Sequence, residues 1–212
     1  MKKLGTIFVI MVLALLIDVN VFADEVKNNY LSLRYETGRN TETGDKFHGT
    51  YNVFENNSLK DWALGVRFIT GEKGFKLIIP CAYYKVGKGF QLGAQYSSDS
   101  FNNESVGPSF RFIRPVGKIF VFLNATQYFD TKDDKYKTDI FLSLKTLGQG
   151  WYCGAEFWYY NIKNGTENLH FRPIRIGYRF KNNLAPFVML QRKWNDQGLR
   201  ADSILAGIEI KF

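Results

Sequence analysis

Seven cations set the chemistry to be weighed first. Arg34, Arg67, Lys76, Arg111, Lys145, Arg175 and Arg179 each fall in a short segment where apolar and polar residues alternate, on the polar side of the alternation. A guanidinium bonds a carboxylate through two parallel N–H donors and stays charged at any relevant pH, while an ammonium acts as a point charge. Gathered on one low-dielectric wall, such groups would concentrate anions. Glu36, Asp139, Glu156 and Glu209 fall on the same polar side. The competing reading is therefore that cations and carboxylates pair and fill a closed interior.

Other chemistries find less support. The two histidines, His48 and His170, are the base candidates for a Ser-His hydrolase or acyltransferase acting on lipid. His48 shares a face with Thr50 and Asn52, but Ser109 and Ser143 lie strands away, and no Gly-x-Ser-x-Gly elbow occurs. No enzymatic activity is expected. Two histidines and the distant pair Cys81 and Cys153 make no metal-ligand set, and no cofactor is expected. The net charge is +8, about +7 without the first 23 residues. That excess invites a nucleic-acid reading, which is disfavoured because the cations face inward and the chain carries an export signal.

The elements that must hold these residues are strands. Residues 1–23 read as a secretory signal peptide: Lys2 and Lys3, then an apolar run over 7–16, then Val21-Phe22-Ala23 before Asp24. Nothing after it approaches the roughly 18 consecutive apolar residues of a membrane helix. The remaining chain, 24–212, divides into twelve segments of about ten residues with period-two alternation, separated by turn residues. The fold class expected is all-β, a transmembrane antiparallel β-barrel of twelve strands with both termini on the side of the shorter turns. The aromatic content of 17% suits interfacial girdles.

Sorting apolar residues outward assigns each face. Leu33 and Tyr35 oppose Arg34; Phe47, Tyr51 and Val53 oppose Lys46 and His48; Leu64 and Val66 oppose Arg67; Leu77, Ile79, Cys81 and Tyr83 oppose Lys76 and Pro80. Further on, Phe110 opposes Arg111, Leu144 opposes Lys145, Phe157 opposes Glu156, and Ile174 and Ile176 oppose Arg175. So assigned, no charge stands on any outward face. A solvent-facing sheet would carry many, whereas a charge facing lipid costs roughly 2 to 4 kcal/mol at the midplane. Cys81 and Cys153 then lie about five strands apart on the outer wall, beyond disulfide reach.

The last strand, 204–212, alternates cleanly: Ile204, Ala206, Ile208, Ile210 and Phe212 against Leu205, Gly207, Glu209 and Lys211. A strand closing on an aromatic residue is similar to the terminal strand of bacterial outer-membrane barrels, in which the terminal Phe addresses the assembly machinery. Pro186-Phe187-Val188, then Trp194-Asn195-Asp196-Gln197-Gly198, then Ile208-Glu209-Ile210-Lys211-Phe212 resembles the last hairpin of the oligogalacturonate-specific porin family, which includes the sialic-acid-inducible channel. Tyr96-Ser97-Ser98-Asp99 with Gly107-Pro108-Ser109-Phe110 is similar to a central hairpin of those proteins. The resemblance implies a narrow monomeric twelve-stranded channel in the outer membrane, with a basic lumen for acidic saccharides. The partners expected are outer-membrane lipid and small anionic solutes. The alternative is a structural, non-conducting barrel.

Overall fold

The computed structural model describes residues 29–132, 136–162, 167–195 and 198–212; the leader read over 1–23 lies outside them. Twelve strands follow in chain order: β1 (Tyr30–Asn40), β2 (Lys46–Asn56), β3 (Trp62–Thr70), β4 (Lys76–Gly87), β5 (Phe90–Asp99), β6 (Glu104–Val116), β7 (Ile119–Asp130), β8 (Tyr136–Thr146), β9 (Gly150–Ile162), β10 (Glu167–Arg179), β11 (Leu184–Asn195) and β12 (Gly198–Lys211). Each pairs antiparallel with the next, and β1 pairs with β12 to close the barrel. The seam ends in a reciprocal pair: Asn29 N–H donates to the Phe212 carbonyl at 2.8 Å, and Phe212 N–H to the Asn29 carbonyl at 3.0 Å. Hydrocarbon offers no water to an open edge, so closure satisfies the backbone where an open sheet could not. Strands of 9 to 14 residues exceed or match the roughly 9–11 that a tilted membrane strand requires. No helix among the described residues is long and apolar enough to cross a membrane.

Connections after even-numbered strands are the tighter ones. Between β4 and β5, Lys88 and Gly89 take φ of 52° and 83°, the left-handed pair of a type I′ hairpin whose twist matches its strands. Between its ends the outer wall is apolar, with an aromatic belt at each end. Near these turns lie Trp62 edge-on to Tyr84 (centroids 5.4 Å apart), Trp151 edge-on to Tyr178 (5.4 Å), and Phe180. Toward the loops lie Phe68, Tyr96, Phe129 and Tyr136. Leu33, Leu64, Leu92, Ile176, Val188, Leu190 and Ile204 are exposed between the belts, the layout of a lipid-facing surface.

The eleventh segment alternates too weakly in sequence to assign its faces, and in every other strand but two the faces match the alternation expected from sequence. The exceptions are β2 and β4, whose apolar sides turn inward. Tyr51, Val53 and Glu55 face the lumen while His48 and Phe54 are exposed outside, and Ile79, Cys81 and Tyr83 are buried inside while Ile78, Pro80 and Tyr84 are exposed. Lys76 is accordingly corrected from lumen to outer face, exposed at the loop end of β4, and Lys46 sits likewise at the loop end of β2. The outer wall therefore does carry charges, toward its loop end, where Arg192 and Asp202 also pair at 3.5 Å. The physical reason is demand for rings inside. Phe47, Tyr152 and Phe187 each stand directly across from a glycine on the next strand, Gly38, Gly177 and Gly207. A Cβ at those glycines would come within 2.5 to 2.7 Å of a ring carbon, so each ring fills the space its partner leaves.

Cys81 is the second correction, since it is buried on the inner face with its Sγ 3.9 Å from Arg111 Nη2; Cys153 is exposed on the outer wall, and both thiols are free. A lipid-soluble maleimide is expected to label Cys153 in the folded barrel and to leave Cys81 unmodified, which mass spectrometry of the Cys153→Ser variant reads directly. Equal labelling of both thiols would contradict the placement of β4.

Candidate functional site

The alternation turns one side chain in two toward the lumen, and twelve strands bring those side chains to within bonding distance across it. Glu156 on β9 sits among three guanidiniums: Arg34 at 2.8 Å, Arg172 at 3.0 Å and Arg175 at 3.1 Å. Glu209 on β12 is bridged by Arg175 and by Lys145, each at 2.7 Å, with Arg34 at 3.7 Å, and it accepts the Tyr30 hydroxyl at 2.5 Å. Four steps around the wall separate β1 from β9 and β8 from β12, so these bridges span the lumen. Their members are almost wholly buried, where an ion pair holds only if each charge is matched and hydrogen-bonded.

Against the opposite wall lies a neutral cluster. Tyr128 donates to Gln95 at 2.6 Å, Tyr83 to Asn124 at 2.7 Å, Ser109 and Thr126 share a hydroxyl bond at 2.7 Å, and Gln95 Nε2 donates to the Tyr83 hydroxyl. Arg111 lies over the Tyr83 ring with Cζ 3.8 Å from the centroid and reaches Glu55 at 3.0 Å. Nearer the loops, Trp158 donates its indole N–H to Asp139 at 2.9 Å, and the His170 ring packs edge-on against it. Lys193 pairs with Glu36 at 2.5 Å.

Between the ionic network and the turns a cavity of about 110 Å³ remains. Five cations line it, Arg34, Arg67, Lys145, Arg179 and Lys211, against two carboxylates, Glu55 and Glu209. The rest of its wall is apolar at Phe120, Phe122, Phe141, Val53, Ile113 and Leu147, with Tyr30, Tyr51, Asn57 and Ser143 between them. Arg67 is unlike the other cations. It is only 6% exposed, yet no hydrogen bond or ion pair to it forms among the described residues.

Of the seven cations singled out in the sequence, Arg34, Arg67, Arg111, Lys145, Arg175 and Arg179 face the lumen, and four of them meet at this cavity. Arg111 belongs to the neutral side, Arg175 to the ionic network, and Arg179 donates to the Gly148 carbonyl at 2.9 Å near the turns. The two histidines are not brought together: His48 is on the outside and His170 inside against Trp158. Among the described residues no group of His, Cys, Asp and Glu could hold a metal ion.

Two inner-face charges escape a strict period-two reading. Arg172 lies an odd number of residues from Arg175, but the register slips between them, so both point inward; Pro173 inside the strand is the sign of that bulge. Glu55 continues the parity of Tyr51 and Val53, and a carboxylate there argues for an inward face.

No protein-family model and no curated protein matches the sequence. Solved structures do match in fold. A KdgM porin superposes with a TM-score of 0.57 at 14% identity, covering 85% of this chain and 99% of that one. A KdgM porin in complex with disordered oligogalacturonate gives 0.57 at 15% with the same coverage. A NanC porin structure gives 0.62 at 9%, covering 85% of this chain and all of the other. The fold is that of outer-membrane porins.

Proposed function

We propose that this barrel is a passive outer-membrane channel for small anionic solutes. One observation carries the reading: five cations against two carboxylates line the turn-side cavity, and one of them, Arg67, makes no ion pair among the described residues. A low-dielectric wall with uncompensated positive charge raises the local anion concentration and repels cations. The oligogalacturonate held by one of the similar porins is an acidic saccharide, which is consistent with this charge. Outer-membrane lipid contacts the apolar belt, Phe212 addresses the assembly machinery, and a single chain closes the pore.

Planar-bilayer recordings under a potassium chloride gradient test this. The reversal potential is expected to report chloride passing several-fold more readily than potassium, and Arg67→Glu is expected to move it toward potassium. Arg175→Ala and Arg179→Ala should each shift it the same way by less. Cation selectivity of the unaltered barrel overturns the anion reading. A second reading, a structural barrel that conducts nothing, is favoured by the bridges from Arg34 to Glu156 and from Lys145 to Glu209 that cross the lumen. Absence of conductance in a folded barrel would establish it.

A further inference from the structure

We infer that the turn-side cavity is a binding site for a small carboxylate carried on a single apolar ring, an aryl carboxylate in chemical class, with Arg67 as its anchor. The proposal takes the anion-channel reading as its setting and specifies which anions dwell in the lumen.

The first observation is the division of labour among the cations. Lys145 is held by Glu209 at 2.7 Å, Arg34 by Glu156 at 2.8 Å, and Arg179 by the Gly148 carbonyl at 2.9 Å. Arg67 alone of these four lines the cavity with no hydrogen bond or ion pair among the described residues, although it is only 6% exposed. A buried charge without a partner costs several kcal/mol until one is supplied, and the fork of a guanidinium fits a carboxylate. Ser143, on the far wall, likewise lines the cavity with a buried hydroxyl that makes no hydrogen bond among the described residues.

The second observation is the rest of the wall. Phe122 and Phe141 stand edge-to-face with centroids 5.8 Å apart, and Val53 and Ile113, both nearly buried, continue the apolar surface. Aliphatic and phenyl groups offer no partner to ring hydroxyls, and the neutral polar groups of the lining, Tyr30 (already donated to Glu209), Tyr51, Asn57 and Ser143, are too few to replace the bonds to water that a sugar acid would lose. A phenyl ring would instead bury apolar area and meet Phe122 and Phe141 in the offset geometries aromatic pairs prefer. Size agrees: about 110 Å³ is near the roughly 150 Å³ of an apolar cavity that binds benzene, and too small for a disaccharide.

Benzoate, acetate and galacturonate, titrated calorimetrically into the refolded full chain in detergent at neutral pH, form the test. Benzoate is expected to bind on the order of tenfold more tightly than acetate, from the apolar area of its ring, and galacturonate no more tightly than acetate. Phe122→Ser is expected to bring the benzoate-to-acetate ratio toward one, and Arg67→Gln to weaken both ligands while removing any micelle contribution from the comparison. Heat-modifiable gel mobility identifies folded variants, and Ile113→Ser replaces Phe122→Ser if the latter fails that criterion. Equal affinity for benzoate and acetate, or tighter binding of galacturonate than benzoate, overturns the proposal. A barrel that passes chloride selectively without preferring benzoate overturns this inference alone. One that prefers benzoate but conducts nothing, or conducts cations, overturns the channel reading alone.

Discussion

Glu156→Ala is expected to cost about 3–5 kcal/mol of barrel stability, the range for removing one partner from a buried charge cluster. Glu156 is the shared acceptor of Arg34, Arg172 and Arg175, all within 3.1 Å. Without it, Arg34 retains the Ser32 hydroxyl at 3.1 Å and a 3.7 Å approach to Glu209, and Arg172 retains the neutral Gln191 at 2.6 Å. Two guanidiniums are thus left buried with little compensation. Equilibrium unfolding in urea, followed by tryptophan fluorescence in lipid vesicles, reads the loss. Glu156→Gln keeps volume and an acceptor oxygen but not the charge, and should fall between the two. A loss under about 1 kcal/mol for Glu156→Ala would mean that water reaches the network freely and that the pairs are worth no more than surface ones.

Leu190→Arg is expected to cost roughly 2 to 4 kcal/mol in the same unfolding experiment, the penalty for a cation on the lipid face near mid-strand. Leu190 is 46% exposed on the outer wall of β11, directly across from Ile204 and Ile174, so its replacement would put a guanidinium into hydrocarbon where the one acidic residue diagonal to it, Asp202, is already paired with Arg192. The contrast lies one residue on: Gln191 is buried inside, bonded to Arg172, Glu36 and Ser203. An inconsequential Leu190→Arg would mean that this wall faces water.

The strand count, the closing seam and most of the faces are legible in the sequence because a lipid-facing wall tolerates few charges and the alternation is then nearly binary. Ile204, Ile208 and Glu209 fall where period two puts them. The rule fails in β2 and β4 because a narrow lumen needs packing as well as charge. Phe47 fills the space over Gly38, and Tyr83 offers its ring to Arg111, so apolar side chains are drawn inward and Lys46 and Lys76 are left outside at the loop end. In β11 the alternation is weak for the same reason: Phe187 and Met189 are buried within the lumen while Val188 and Leu190 face out. Which cations would be neutralised was not legible at all. Arg34 and Glu156 are 122 residues apart, and Lys145 and Glu209 are 64 apart, and only the circumference of a twelve-stranded wall brings them together.

Those long-range pairs bear on how the protein matures. Arg34 belongs to the first strand, so until β1 docks on β12 its guanidinium has neither Glu156 nor Glu209 to meet. A partly assembled sheet would present a bare, hydrated electropositive concave surface, which opposes its turning toward acyl chains. Sealing the seam and quenching that charge are then the same event, and nascent chains are expected to mature in one all-or-none step.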